Sequence, residues 1–499
     1  MPRRLLFICL ALRLCAAEPQ WQAGGRIAGF LDASVVARTS FFGIRIVSLD
    51  HERVLFERNS SRLFLPASNA KLFTTALALA RLGPDYRFHT RVLADRSPGA
   101  DGCVESLFLV GGGDPNLSGR AIPYREDGPP GDPLAAIEDL ASQVAARGVR
   151  CVSADIVGDD SAYVWQPYAD GWDIGDPVWD YGAPVSALSI NDNSITVTVL
   201  PGRQVSDPAR IEIVPPVEYY DIDNRVRTIA SESKMERKVT IDRLPGERQL
   251  RMWGALPLND GGDTEMLGID DPALYAACAL RDALARRGIA IRGEARAVHL
   301  FPSQVADLKH GPAPEPRAGV EMARRDSAAL LDDLRITDKV SQNLHAEMAL
   351  RAVARAGRHI GSREGGLAEE QLFLDEVGVN RGSYNFADGS GLSRLDLVSP
   401  AAVVRLLAHM WRSPAREAWV SLLPVAGRDG TLHARFTGTV AEGRIFAKTG
   451  SLSHVSALSG YARRANGQML AFSIMVNNYN CPVADVRAAI DRVCALMLE

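Results

Sequence analysis

A serine and a lysine three residues apart, Ser68 and Lys71, stand at the head of an apolar run in LPASNAKLFTTALALARLG, residues 65–83. Residues i and i+3 share one face of a helix, so the amine can reach the hydroxyl. A serine hydroxyl is a weak nucleophile until a neighbouring base takes its proton, and a lysine is such a base only when burial or a nearby cation lowers its pKa. The first turn of a helix adds exposed N–H groups and a dipole that favour developing negative charge. A capped helix with a solvated lysine would carry the same residues, and Ser231-Glu232-Ser233-Lys234 repeats the spacing in a polar stretch before a strand-like segment. The lowering cation is available in Lys448-Thr449-Gly450, and Ser341-Gln342-Asn343 offers a second hydroxyl and an amide. These triplets are also weak singly, since Ser189-Ile190-Asn191, Ser383-Tyr384-Asn385 and Lys309-His310-Gly311 match them. The information lies in order and placement: S-x-x-K opens an apolar helix, S-x-N starts another, and K-T-G lies on a late strand.

Those positions depend on the elements around them. Residues 41–48 and 54–56 read as a hairpin about Asp50-His51-Glu52, and Leu72 to Leu82 as a helix ending at Gly83-Pro84. A strand at 104–110 runs into Gly111-Gly112-Gly113-Asp114-Pro115, where a tight turn is favoured over a phosphate loop because no Lys-Ser/Thr follows. A helix (133–147), a strand (152–157) and an aromatic, Asp- and Pro-rich loop (163–184) come next. Short strands alternate with turns over 190–300, a helix spans 271–287, and a polar connector at 309–318 reads as a boundary. Helices are expected at 326–334, 338–356 and 364–377, then strands at 443–448, 456–463 and 468–476 and a last helix at 485–498. First and last strands with helices between them predict an α/β domain interrupted by an insert.

The chain has 499 residues, 46% hydrophobic and 23% charged, with a formal net charge of −4. It is globular, large enough for two or three units, and carries no basic block that would point to nucleic acid. Arg3-Arg4, a short apolar core and Cys15-Ala16-Ala17 read as a secretory signal over 1–17, and no other run is long and charge-free enough to span a membrane. The seven cysteines match no zinc spacing; for Cys103 and Cys151, both in strand-like runs, a disulfide and buried free thiols are alternatives. His345 and His454 have no partner at metal spacing and are read as packed or solvated, and Arg428 with Asp429 as a structural ion pair. No cofactor or metal is implied.

The ordered set resembles serine β-lactamases and penicillin-binding proteins. It resembles most the D-alanyl-D-alanine carboxypeptidase/endopeptidase family of low-molecular-weight penicillin-binding proteins, the kind with a large insert in the transpeptidase domain. Gly113-Asp114-Pro115, the segment from Tyr181 to Ser189, Asp388-Gly389-Ser390-Gly391-Leu392-Ser393-Arg394 and PVAGRDGTL at 424–432 carry the likeness beyond the three motifs. The wide separation of Ser68 from Ser341 distinguishes it from a compact β-lactamase. The resemblance implies a transpeptidase-like domain, an antiparallel sheet flanked by helices, built from 26–90 and 319–499. A mixed α/β insert, expected as two subdomains, occupies 91–318.

The activity it implies is serine-type D-Ala-D-Ala carboxypeptidase action on peptidoglycan stem peptides in the periplasm. Whether such an enzyme trims terminal D-alanine, cuts cross-links as a DD-endopeptidase, or does both is left open, as is the oligomeric state. By resemblance Ser68 attacks, Lys71 accepts its proton, Ser341 and Lys448 pass a proton to the leaving D-alanine, and Asn343 holds Lys71 and the substrate amide. Thr449 with Lys448 binds the terminal carboxylate. Gly450 and Ser451 complete that wall, and the N–H groups of Ser68 and Ser451 form the oxyanion hole. Arg394 and the strip Trp172, Asp176, Tyr181 would receive the side-chain end of the stem peptide; read from residues alone, those aromatics could equally cover the junction with the insert. β-Lactam antibiotics would inhibit by acylating Ser68. The competing readings are a β-lactamase or esterase on the same scaffold, and an envelope protein that keeps the fold as a binding module.

Overall fold

The computed structural model describes residues 21–50, 53–129, 131–312 and 317–499. The signal segment at 1–17, with Cys9 and Cys15, and the hairpin tip His51-Glu52 lie outside the described residues. Strands β1 (Phe41–Ser48) and β2 (Arg53–Arg58) join β3 (Ile445–Leu452), β4 (Val455–Arg463) and β5 (Met469–Asn477) in one sheet of order β3-β4-β5-β1-β2. All its pairings are antiparallel. Side chains alternate across a strand, and here both faces are buried. Ala471 and Met475 of β5 join one hydrophobic cluster, while Leu470, Phe472, Ile474 and Val476 join another. The second cluster is closed by the helices Gln22–Ala33 and Val483–Leu498.

The first cluster holds the three helices that matter most for the site: α1 (Lys71–Leu82), α2 (Leu330–Lys339) and α3 (Asn343–Arg358). In α1, Leu72, Phe73, Leu77 and Leu79 are buried, each contributing about 1.5–3 kcal/mol. Its two β-branched residues are satisfied: Thr75 Oγ1 donates to Lys71 O at 2.7 Å and Thr74 Oγ1 to Gly389 O at 2.7 Å. Gly83, at φ +79, ends the helix just before Pro84. A 3₁₀ turn, Ala67–Ala70, leads into it.

The helix expected at 338–356 is two helices. Asp338 and Lys339 finish α2, and Ser341 stands between α2 and α3 at φ +66. A left-handed serine is a strained choice, costing on the order of 1–3 kcal/mol, and it persists only where surrounding contacts hold it. Local propensity could not have revealed it, because every residue from Asp338 to Ala356 tolerates a helix.

The intervening chain forms a five-stranded mixed sheet in the order Ala295–Leu300, Ile156–Val164, Leu107–Val110, His89–Ala94, Val320–Asp326. Helices Ala135–Ala146 and Pro272–Arg286 contribute to its core. Two three-stranded sheets fill 194–268. Cys103 and Cys151 form a disulfide between two paired strand ends, and Cys278, Cys481 and Cys494 are free thiols. Asp429 is paired with Lys339 at 2.6 Å, so the ion pair expected with Arg428 is replaced by one to the end of α2.

Candidate active site

Ser68 lies in the 3₁₀ turn before α1, directly after Ala67, whose φ of +48 is itself left-handed. The turn is pressed on by the Asp388–Ser393 loop: a Cβ at Gly391 (φ +82) would stand 1.9 Å from Ala67 O, so only glycine fits there. Lys71 opens α1 with its side chain fully buried. Its amine sits 2.9 Å from Ser68 Oγ, 2.6 Å from Asn343 Oδ1 and 2.7 Å from Ser390 O. Three acceptors satisfy three N–H bonds, which offsets the several kcal/mol of desolvation a buried ammonium costs. Burial first, and then the charge of Lys448, lower the Lys71 pKa to about 7 against the opposing pull of Asp388, Asp338 and Glu347. Burial thus makes the neutral amine, the form that can accept a proton, accessible near neutral pH.

Across the cleft, Lys448 on β3 donates to Ser341 Oγ at 2.8 Å and to Thr449 O at 3.1 Å. It too is fully buried, and burial lowers its pKa, with Asp338 opposing. Asp338 is buried behind α1, accepting from Thr75 Oγ1 at 3.2 Å, and burial raises its carboxyl. Thr449 Oγ1 donates to Thr431 Oγ1 at 2.8 Å, a residue of the PVAGRDGTL stretch. Gly450 is required by contact: a Cβ there would lie 2.6 Å from Pro66 O and 3.0 Å from Asn69 Nδ2. Asn69 Nδ2 in turn donates to Lys448 O at 3.2 Å, fastening the nucleophile turn to β3. Strand β3 is the edge of its sheet, and Ser451 at its end is exposed. A cleft of ≈ 740 Å³ opens here, lined by Ser68, Ser341, Thr431, Thr449, Ser451 and Arg487.

The six expected residues Ser68, Lys71, Ser341, Asn343, Lys448 and Thr449 thus converge from three separate segments. Arg394, Trp172, Asp176 and Tyr181 lie next to them as a second group. Asn343 Nδ2 donates to Tyr181 O at 2.7 Å, and Trp172 Nε1 to Asp388 Oδ2 at 2.8 Å. Burial raises the Asp176 carboxyl, and Arg394 is near enough to oppose that with its charge. Tyr181 and Arg394 are exposed while Asp176 is buried, so an acidic floor sits under an open rim. Ser231 and Lys234 belong to an exposed turn elsewhere.

Sequence reasoning missed the carbonyl of Ser390, Asp338, Thr431 and Asn69. Two of them had a usable signal. Ser390 and Thr431 fall inside stretches singled out above, whereas nothing marks Asp338 or Asn69 apart from proximity in the chain to a motif serine. His345, read as packed or solvated, is packed: it is fully buried, facing Asp192 at 3.0 Å and Asp333 at 2.7 Å, two carboxylates that the residues alone did not reveal. Burial works against its charge, but the two carboxylates outweigh it and raise the pKa to about 9. Among the described residues no cluster of His, Cys, Asp and Glu could hold a metal, and no helix is long and apolar enough to cross a membrane.

Known proteins resemble this chain over most of its length. The model of the D-Ala-D-Ala carboxypeptidase 3 (S13) family matches residues 32–496. A D-alanyl-D-alanine carboxypeptidase of Actinomadura sp. (strain R39) is 34% identical over 452 residues, 88% of this chain and 78% of the relative. Carboxypeptidase DacB of Mycolicibacterium smegmatis is 30% identical over 465 residues, 91% of this chain and 79% of the relative. The crystal structure of penicillin binding protein 4 (dacB) from Haemophilus influenzae superposes with a TM-score of 0.77 at 22% identity, covering 94% of this chain and 99% of that one, so the two share a fold. The same Haemophilus protein, complexed with a β-lactam, superposes at a TM-score of 0.73.

Proposed function

The chain belongs to the D-Ala-D-Ala carboxypeptidase 3 (S13) family, and on that premise we propose a division of labour among its buried polar groups. The protein is a serine-type D-Ala-D-Ala carboxypeptidase, a hydrolase. Its substrate is the stem peptide of peptidoglycan ending in D-Ala-D-Ala, and its working compartment is the periplasm. One observation carries the reading: a fully buried lysine, Lys71, with its amine 2.9 Å from Ser68 Oγ and its pKa lowered to about 7.

The peptide lies along the edge of β3 beyond Lys448, pairing its backbone with that stretch, since residues 424–426 already cover the edge at 445–447. Thr449 and Lys448 receive the terminal carboxylate. Neutral Lys71 takes the proton from Ser68 Oγ as that oxygen attacks the carbonyl carbon of the penultimate D-alanine. The oxyanion is stabilised by the N–H groups of Ser68 and Ser451, and losing one such donor typically costs about 10²–10³ in rate. The C–N bond breaks, and the leaving nitrogen receives a proton through Ser341, which Lys448 resupplies. Lys448, now neutral, takes a proton from water as that water attacks the ester carbonyl, and Lys71 returns its proton to the Ser68 oxygen as the acyl C–O bond breaks. Asp176, Arg394, Tyr181 and Trp172 form the pocket for the side-chain end of the third stem residue, an acidic-and-basic pair suited to a zwitterionic amino-acid end. A β-lactam places its carboxylate and carbonyl on the same groups and leaves an acyl group on Ser68.

Intact-protein mass after incubation with benzylpenicillin tests this. The expected result is one adduct on the wild type and none on Ser68→Ala. Rapid consumption of the drug with no adduct would mark a β-lactamase, and an intact drug with no adduct would leave a binding module.

A further inference from the structure

Two stretches that carry family likeness, Gly113-Asp114-Pro115 and the run from Gly182 to Ser189, touch no substrate group in the division of labour above. Both lead into a buried network that ends on the S-x-N turn. Directly after Ser189-Ile190, the residues Asn191, Asp192 and Asn193 have φ values of +50, +56 and +50. Three consecutive left-handed residues, none of them glycine, are costly and persist only where contacts fix them. They are fixed: Asn191 N donates to Leu117 O at 3.0 Å, Asn193 Nδ2 to Pro184 O at 2.8 Å, and Ile269 N to Asn193 O at 2.8 Å.

The strained turn aims one side chain. Asp192 Oδ2 accepts from Gln342 Nε2 at 3.1 Å, and Oδ1 faces His345 Nε2 at 3.0 Å. Arg120 closes the other side of Oδ2. Burial would raise this carboxyl, but His345 and Arg120 hold it well below the usual range, so it is a fixed negative charge. Gln342 is the middle residue of S-x-N and caps α3, its Oε1 accepting from Leu344 N at 3.1 Å. The other ring nitrogen of His345 lies 2.7 Å from Asp333 Oδ1 on α2, and Asn116 Nδ2 donates to that oxygen at 2.9 Å. Asp114 Oδ1 in turn accepts from Asn116 N at 2.9 Å. One imidazolium therefore ties together α2, α3 and the insert, on both sides of the strained Ser341.

We infer that Asp192 is a positioning residue for acyl transfer: through Gln342 and His345 it fixes the turn that keeps Ser341 Oγ on Lys448 and Asn343 Oδ1 on Lys71. This rests on the acyl-enzyme reading above. It gives the insert a part in the chemistry, since Asp192, Arg120 and Asn116 all come from the chain between Ser68 and Ser341. It also states why the neighbouring Ser189-Ile190-Asn191 resembles an active-site triplet yet is none: its serine is buried and donates to Ser186 O, and the following aspartate acts at a distance.

The test is the rate constant of acylation by benzylpenicillin, and kcat and KM for D-alanine release from a D-Ala-D-Ala peptide, at 25 °C in the intact protein. Asp192→Asn keeps the shape and removes the charge. It should slow acylation and lower kcat on the order of 10²-fold, leave KM within about twofold because the Thr449 wall is untouched, and still reach one adduct per chain. Gln342→Leu leaves the Asp192, Arg120 and His345 contacts in place and should slow acylation about tenfold. It decides the matter if Asp192→Asn does not fold. Asp260→Asn weakens the Arg237–Asp260 pair of the insert, 2.7 Å apart and in contact with none of Asp192, Gln342 and His345, and should acylate like the wild type. The inference is overturned if Asp192→Asn melts lower yet acylates at the wild-type rate, if its adduct stops short of one per chain while the reacting fraction keeps that rate, or if Asp260→Asn is slowed equally. A wild type that forms no adduct sinks the underlying reading and this inference with it.

Discussion

Ser68-x-x-Lys71 and Ser231-x-x-Lys234 have the same residues at the same spacing and opposite surroundings. Lys71 is fully buried, with three acceptors around its amine and a second lysine near enough to lower its pKa. Lys234 is exposed in a turn of the insert between two strands. The pair teaches that a serine and lysine become a nucleophile and base through what encloses them. That enclosure comes from the Asp388–Ser393 loop, the start of α3 and β3, all more than two hundred residues further along the chain.

The comparison can be broken in several ways. The largest expected effect is from Ser68→Ala, which should abolish both the benzylpenicillin adduct and D-alanine release, whereas Ser231→Ala should leave both intact. An adduct surviving on Ser68→Ala, located by peptide mass mapping, would move the nucleophile elsewhere. Lys71→Met should slow acylation by about 10²–10⁴-fold while the protein still folds; stopped-flow kinetics would read it, and a change under threefold would remove the lysine from the base role. The pH profile sharpens the same point. Lys71 acts in its neutral form, so acylation should rise as pH passes upward through about 7 and fall about tenfold per unit below it. A rate independent of pH between 5 and 9 would contradict a burial-lowered amine. Thr449→Val keeps the shape and removes the hydroxyl; loss of a hydrogen bond to a carboxylate should raise KM on the order of tenfold, visible in steady-state kinetics. At the bottom of the scale, Lys234→Met should change no kinetic constant, and any slowing of acylation there would mean that the exposed copy contributes.

How much was legible in the residues follows from the range of the forces involved. The β4–β5 pair was legible because its apolar runs and the Ala465-Asn466-Gly467 turn are local signals, and the register of its strands follows from burial. Helix α1 was legible for the same reason. The break at Ser341 was not. It is set by Lys448 on one side and by Asp192 and His345 on the other, contacts between segments far apart in the chain. His345 carried no sign of its charge either, because the carboxylates that create it come from α2 and the insert. The six motif residues were found by their order, but the carbonyl of Ser390 that completes the Lys71 amine could not be, since any residue supplies a carbonyl.

The order of strands in the catalytic sheet has a kinetic consequence. Phe41–Ser48 pairs along its whole length with Leu470–Asn477, so the strand that precedes the nucleophile waits for one of the last to be synthesised. Such long-range pairing is slow, and it exposes the intermediate chain to chaperones and proteases. A chain still emerging, or truncated before Met469, lacks the platform under β1 and, with β3 unsupported, cannot assemble Lys448 opposite Ser341. The catalytic sheet, and with it the meeting of Lys448 and Ser341, therefore comes together only after β5 has been made.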